Sequence, residues 1–331
     1  MRQIYGIDLS KEKFNVNFLS EQGSIEELEV KNNYDSICQF LSDLPSSATL
    51  CIEHTGIYGD LLIFLANCFE VSISAVSGYE IKHSLGLQKG KSDPIDAARI
   101  REYGERFSDK LRPSEYTDEI MHELRELHNL RQVLVKNRKI LLTQGKDKGR
   151  LPFKSLKAHY IATEVISDLS EQISSVEQEI QKIINANQEY AQNSELICSI
   201  KGIGPVTANE LIIKTHNFTK IRTARQAASF AGICPFPNSS GKMVKKHRIS
   251  SMGDRSLKTL LYLCSTSAIT YNKEMKSYYI RKKAEGKPSY LVLNNVANKL
   301  LRIIYAILES GQKYDINYLC LDPRISDKKV A

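Results

Sequence analysis

The chain has 331 residues, of which 42% are hydrophobic and 25% charged, with a formal net charge of +8. This is an ordinary globular composition, long enough for two domains with separate cores. No apolar run approaches the roughly 20 residues of a membrane helix. The start MRQIYGIDLS does not read as a signal peptide. Charge is unevenly spread. Residues 1–60 hold 4 Lys/Arg against 10 Asp/Glu, a net of −6, whereas residues 201–331 hold 23 against 8, a net of +15. An acidic start and a basic end imply two domains with different tasks, the basic one suited to phosphates. The 7 cysteines form no C-x-x-C pair. Cys38, Cys51, Cys68, Cys198, Cys234 and Cys264 all sit beside apolar residues, so they read as small buried hydrophobes of a reducing, cytoplasmic protein.

In chain order, IYGIDLS reads as a strand ending in an acid, and KFNVNFLS alternates with Phe14, Val16 and Phe18 on one face. IEELEV is a third strand after the Gly23-Ser24 turn. Asn33 then caps a helix over YDSICQFLSDL that stops at Pro45. TLCIEHT is a buried strand, GIYGDLLIFLANCF a helix and VSISAVS a strand. SDPIDAARI opens a last helix capped by Ser92 or Asp93, with Pro94 in its first turn. This is an α/β pattern around a mixed sheet, in the order of a ribonuclease-H-like (RuvC-like) fold.

Residues 115–194 are helical by pattern. Leu169, Ile173, Val176, Ile180 and Ile183 make a heptad seam, and Ile120, Leu124, Leu127 and Leu134 a similar stripe. A break at 144–153 implies two long antiparallel helices, either a plain hairpin or a coiled-coil dimer element. Residues 195–331 are mainly helical around one Gly/Pro/Ser/Lys-rich loop, GICPFPNSSGKMVKKHRISSMGD. It is too polar for core and long for an idle connection, which points to function. The expected domains are 1–110, a metal-binding α/β domain; 111–194, a helical spacer; and 195–331, a helical domain carrying the loop.

Three groups of residues carry chemistry. Asp8 and Glu53 end strands, and Asp93 and Asp96 share one face at the head of a helix. Crowded carboxylates raise one another's pKa, a conflict that divalent metal resolves. A pair of such ions can activate the attacking oxygen and stabilise the leaving one at a phosphodiester. Taken singly, Asp93 and Asp96 read equally well as a cap and a dipole partner. The second group is Ile200-Lys201-Gly202-Ile203-Gly204-Pro205-Val206-Thr207-Ala208, which resembles a helix-hairpin-helix element. Gly202 and Gly204 allow a tight turn whose N–H groups can hold a phosphate, or a turn with no ligand at all. The third is Asn238-Ser239-Ser240-Gly241-Lys242 followed by Lys245-Lys246-His247-Arg248. A loop serine beside cations can be a nucleophile or can simply bind phosphate.

Together these motifs resemble the DEDD transposases of bacterial insertion sequences, a family that includes pilin-gene invertases and bridge-RNA-guided recombinases. IYGIDLSKEKFNV, IEHTGIYG and KSDPIDAARI resemble its acid motifs. KGIGPVTANELI, AASFAGICP and NSSGKMVKKHRISSMGDRSLKTLLY resemble its C-terminal signature. The resemblance implies Asp8, Glu53, Asp93 and Asp96 as a quartet for Mg²⁺ or Mn²⁺. It implies Ser240 as the nucleophile, with Ser239 its competitor, and nucleic-acid contacts from Gly202, Gly204, Lys242, Lys245, Lys246 and Arg248. The chain departs from the family at Ser251 and Lys258, where relatives carry Lys and Arg. Expected partners are donor and target DNA, a guide RNA and further copies of the chain as a dimer assembling to a tetramer, with no membrane. Two other readings stay open: a RuvC-type junction nuclease with no covalent intermediate, and a nucleic-acid-binding protein without catalysis.

Overall fold

The computed structural model describes residues 3–20, 22–54, 56–84, 86, 93–116, 118–148, 153, 155–240, 243–249 and 252–315. The chain divides into two compact units, Met1–Asp118 and Glu119–Ala331.

The first unit is built on five strands. These are β1 (Gln3–Leu9), β2 (Lys13–Leu19), β3 (Ile25–Lys31), β4 (Ala48–Glu53) and β5 (Ser72–Val76). They lie in the order β3-β2-β1-β4-β5, with β1, β2 and β3 antiparallel and β1, β4 and β5 parallel. This is the order and direction set of the ribonuclease-H-like sheet expected from the sequence. Helix α1 (Tyr34–Ser42) begins where Asn33 accepts from the Ser36 N–H, as its sequence indicated. A 3₁₀ turn at Gly56–Gly59 precedes α2 (Asp60–Cys68), and α3 (Gly78–Ser84) and α4 (Asp93–Arg106) complete the unit.

Strand alternation divides the core in two. Tyr5, Ile7, Leu9, Phe14, Val16, Leu50 and Ile52 face α1 and α2, packing on Ile37, Phe40, Leu62 and Leu65. Ile4, Cys51 and Val76 face the other way, onto Ile81 of α3 and Ile100 and Tyr103 of α4. Three expectations are corrected here. Helix α3 was not foreseen, since seven residues are too few to show a 3.6 period. Asp93 is the first residue of α4 rather than its cap, while Ser92 lies outside the described residues. Cys68 is exposed at the end of α2, whereas Cys51 and Cys264 are buried as expected and Cys38, Cys198 and Cys234 partly so.

The second unit is helical apart from one hairpin. Helices α5 (Glu119–Lys148) and α6 (Leu156–Ala186) are antiparallel: Arg131 meets Glu177, and Arg138 donates to Ser170. Ile173, Val176, Ile180 and Ile184 are the buried residues of α6, close to the heptad read from sequence. They share a core with Met121, Leu124 and Tyr190. Then come α7 (Gln188–Cys198), α8 (Pro205–Thr215), α9 (Ala224–Phe230), α10 (Arg255–Tyr271), α11 (Lys273–Ala284) and α12 (Ser289–Ser310). Their core gathers Ile197, Leu211, Leu257, Leu261, Val296, Leu300 and Ile304. Helix α12 is long and apolar enough to cross a membrane by length and composition, contrary to the reading above. Asn294, Asn298 and Lys299 interrupt its apolar run, and Val292, Val296, Leu300 and Ile304 are all fully buried in the bundle.

The stretch read as a loop is a two-stranded ribbon instead: β6 (Pro235–Ser240) pairs antiparallel with β7 (Met243–Ile249). Val244 and Ile249 are β-branched and favour extended backbone. Ser240 pairs with Met243 at the last register position of the ribbon.

Candidate active site

The acids of the first unit are brought together by strand register and by the direction of one helix. Ile7 and Ile52 are the last paired positions of β1 and β4, and Asp8 and Glu53 follow them, one strand spacing of about 4.8 Å apart. By alternation Asp8 shares the face of Ile4 and Gly6, and Glu53 that of Cys51, the face covered by α4. Helix α4 runs against β1. A side chain on Gly104 would meet Ile4 and Cys51, whereas one on Gly6 would run into the backbone of Ala97 and Arg101. One turn further back, the head of α4 carries Asp93 and Asp96 to the end of the sheet where Asp8 and Glu53 stand. Gly6 therefore permits the close approach that puts the helix there.

Side-chain detail refines this corner. Asp96 is ion-paired with Arg99 at 2.7 Å. Lys13, itself bonded to Glu29 at 2.6 Å, feels the charge of Asp93. The Glu53 carboxylate lies over Gly78, where any Cβ would overlap it. The Arg101 guanidinium donates to Asn17 at 2.7 Å and fixes the flank of α4. Among the described residues no three His, Cys, Asp or Glu side chains already stand within metal-holding reach. The corner thus gathers its acids without closing them into a coordination shell. An all-carboxylate donor set suits a hard divalent cation, and the bare Cα of Gly78 gives Glu53 its place, so the residues fit such an ion.

In the second unit, Ser239 and Ser240 close β6, and Lys245, Lys246 and Arg248 lie on β7. Gly241, Lys242 and Ser251 lie outside the described residues. The sequence did not reveal how the ribbon is rooted. Asn294 and Asn298 of α12 donate to the Ile233 carbonyl at 2.8 and 3.1 Å. The Asp254 N–H donates to Phe230 at 2.7 Å, and Gly253 touches the backbone of Gly232 so closely that no side chain fits. Outgoing and returning strands are thereby pinned at one neck. Asp254 caps α10 through the Leu257 N–H and is ion-paired with Lys214 of α8 at 3.1 Å.

Behind that neck lies a buried polar network that no sequence motif announced. Ser256 donates to Glu210 at 2.5 Å, Gln132 donates to Ser256 at 2.8 Å, and His128 Nδ1 stands 3.3 Å from Glu210. His128 and Glu210 are 4% and 1% exposed. Burial, with the charges of Lys214 and Arg131, pushes the His128 pKa down to about 4; Asp254 opposes it. Burial pushes the Glu210 carboxyl up, against the hydrogen bond from Ser256 and the charge of Lys214. Neither is a surface charge, and together they tie α5, α8 and α10 behind the ribbon. A cavity of about 300 Å³ adjoins them, lined among others by His128, Arg131, Glu177, Gln181 and Asn209.

The glycine turn is explained in part by packing. Gly202 has φ +108°, and a side chain there would strike the backbone of Ala268 on α10. Gly204 is exposed before Pro205, at the N-terminus of α8, with open space around it. Of the two glycines, Gly204 is exposed and Gly202 half-buried.

A ribonuclease-H-like sheet with carboxylates at one corner, in a chain whose other unit is basic, defines an enzyme that acts on nucleic acid. Comparison with known proteins narrows the class. A family model for DEDD-type transposases, described as Transposase, matches residues 5–146, and one described as Transposase IS116/IS110/IS902 family matches residues 194–280. The chain is 24% identical over 326 residues to the pilin gene-inverting protein of Moraxella bovis, covering 94% of this chain and 97% of that one. It is 27% identical over 154 residues to an insertion element IS110 protein of Streptomyces coelicolor, covering 46% and 38% of the two. It is 24% identical over 251 residues to a probable family 20 transposase of Pseudomonas aeruginosa, covering 68% and 74%. The chain belongs to the DEDD transposases of the IS110/IS116 insertion sequences, and its activity is DNA transposition and recombination.

Proposed function

We propose that the chain cuts and rejoins DNA at insertion-sequence ends with Asp8, Glu53, Asp93 and Asp96 as a quartet for Mg²⁺ or Mn²⁺ and Ser240 as nucleophile. The observation that carries this reading is the shared corner formed by the ends of β1 and β4 and the head of α4. When bound, the ion supplies Lewis-acid stabilisation of charge at the phosphate. The Ser240 hydroxyl oxygen bonds to the scissile phosphorus as the phosphorus–oxygen bond to the leaving strand breaks. Its proton passes to a carboxylate and then to the leaving oxygen, which departs as a hydroxyl. Attack by the hydroxyl of another strand reverses these changes and rejoins the DNA. Lys245, Lys246 and Arg248, with Lys242 beside the serine, neutralise the phosphate. Gly204 adds backbone N–H contacts in the manner of a helix-hairpin-helix element, with Gly202 shaping its turn.

Residues 1–110 act as the metal-binding domain, 111–194 as a coiled-coil spacer joining protomers, and 195–331 as the domain carrying the serine. An element-encoded RNA pairs with donor and target and reads sequence, while the protein reads backbone and shape. Two strands must be exchanged at each site, so a dimer assembles to a tetramer in the cytoplasm. Incubation with element-end DNA and a divalent cation tests this. The expected result is a covalent protein–DNA adduct that Ser240→Ala abolishes. Free nicks without adduct would instead support a junction nuclease, and a mobility shift without chemistry a binding protein.

A further inference from the structure

We propose that the outer face of α11, with the tyrosines that flank it in sequence, is a second nucleic-acid surface that holds a single strand. The segment 271–290, YNKEMKSYYIRKKAEGKPSY, carries six cations and two acids. Met275 is fully buried and Tyr278 and Lys282 are half-buried, which fixes the inward side of the helix. Lys273, Lys276, Ile280 and Lys283 recur every third or fourth residue on the opposite side, with Arg281 beside them, and all five are exposed.

A charged helix face is often merely solvated, but such faces interleave both signs. Here both acids are already engaged. Glu274 is bonded to Lys299 at 3.0 Å, and Glu285 to Lys282 at 2.8 Å and Lys287 at 3.4 Å. Lys273, Lys276, Arg281 and Lys283 make no ion pair among the described residues. A 12-residue helix therefore presents four unopposed cations over about 15 Å, the length of several phosphates along a strand. Tyr271, the last residue of α10, and Tyr290, in the first turn of α12, flank this helix in sequence and are each 69% exposed. A stacked base can cover a ring so exposed while the lysines hold the backbone. The cations of this face belong to α11 and not to the ribbon, whereas Tyr290 stands one turn before Asn294, which donates to Ile233 at the base of the ribbon. The inference rests on the family's action on nucleic acid and on neither the serine nor the quartet.

The test uses the full chain and labelled 20-mers, single-stranded RNA, single-stranded DNA and duplex DNA, titrated over a range of salt. Replacing Lys276, Arg281 and Lys283 by Gln should lower the log K against log salt slope for single strands by about 2, since each lost phosphate contact removes about 0.7. Tyr290→Ala should weaken single-strand binding by roughly fivefold or more with the slope unchanged. Stronger binding of RNA or of DNA identifies which strand the surface serves. A wild-type slope in the triple Gln variant, folded by circular dichroism, overturns the proposal, and so does an equal loss of duplex and single-strand binding in Tyr290→Ala. Lys245→Ala/Lys246→Ala in the same assay reports on the ribbon alone. The face of α11 can therefore fail while the ribbon stands, and the reverse.

Discussion

Two glycines that look alike in sequence have opposite consequences. At Gly6 a Cβ meets the backbone of α4, which cannot yield without lifting the helix from the sheet. Gly6→Ala should cost about 3 kcal/mol or more, read by denaturant unfolding. At Gly78 the obstacle is the end of a flexible side chain, the Glu53 carboxylate. Gly78→Ala should change stability by less than about 1 kcal/mol yet lower strand-transfer activity at least tenfold, because the acid is displaced; wild-type activity would show that Glu53 need not sit there. Asp8→Asn should abolish recombination with the fold intact, and by relieving repulsion at the corner should not lower the melting temperature. Asp8 and Glu53 were legible in the sequence because each ends an apolar run, and Asp93 and Asp96 because they share one face at the head of a helix. Gly78 was not, since nothing nearby in sequence marks a glycine as the seat of a distant carboxylate.

His128 was equally illegible, a lone histidine on a helix whose partners come from elsewhere in the chain. Its folded pKa of about 4 lies below the ordinary 6.5, so the unfolded chain binds more protons between those values. Its contribution is complete above pH 6.5 and is lost as pH falls toward 4, by up to about 3 kcal/mol. Glu210, pushed up, works the other way, its share being lost as pH rises through and above the ordinary carboxylate value. The stability advantage of wild type over His128→Gln should therefore shrink between pH 7 and pH 4.5. A constant difference would mean that His128 does not titrate against the fold.

At the level of elements, periodicity served well where a face is buried against a regular neighbour. The strands β1, β2, β4 and β5, the cap at Asn33 and the seam of α6 follow from alternation, cap chemistry and heptads. It failed for α3, which is too short, and for the ribbon, whose Pro, Ser and Lys content imitates a loop. The glycine turn was read for its phosphate geometry, yet Gly202 is fixed by the contact with Ala268. Gly202→Ala should destabilise the protein by about 2 kcal/mol or more, through both positive φ and overlap, whether or not DNA is present. Gly204→Ala, in open space, should leave unfolding within about 1 kcal/mol and weaken DNA binding instead. Equal destabilisation by both would show that the turn is structural throughout.

At the scale of the whole chain, the boundary between the two units falls after Asp118, whereas the sequence reads as three segments, 1–110, 111–194 and 195–331. Helices α5 and α6 belong to the same compact unit as the bundle that follows, because their seam continues into the core shared with α7 and α8. The acids thus reside in one unit and the serine ribbon in the other, and the proposed chemistry draws on both. The most direct test is to trap the reaction on element-end DNA with Mg²⁺, digest the DNA and protein, and weigh the modified peptide. The account predicts a nucleotide remnant on the peptide spanning Ser240, absent in Ser240→Ala and in Asp8→Asn. A remnant on Ser239, or cleaved and rejoined DNA with no modified peptide at any time, would contradict it.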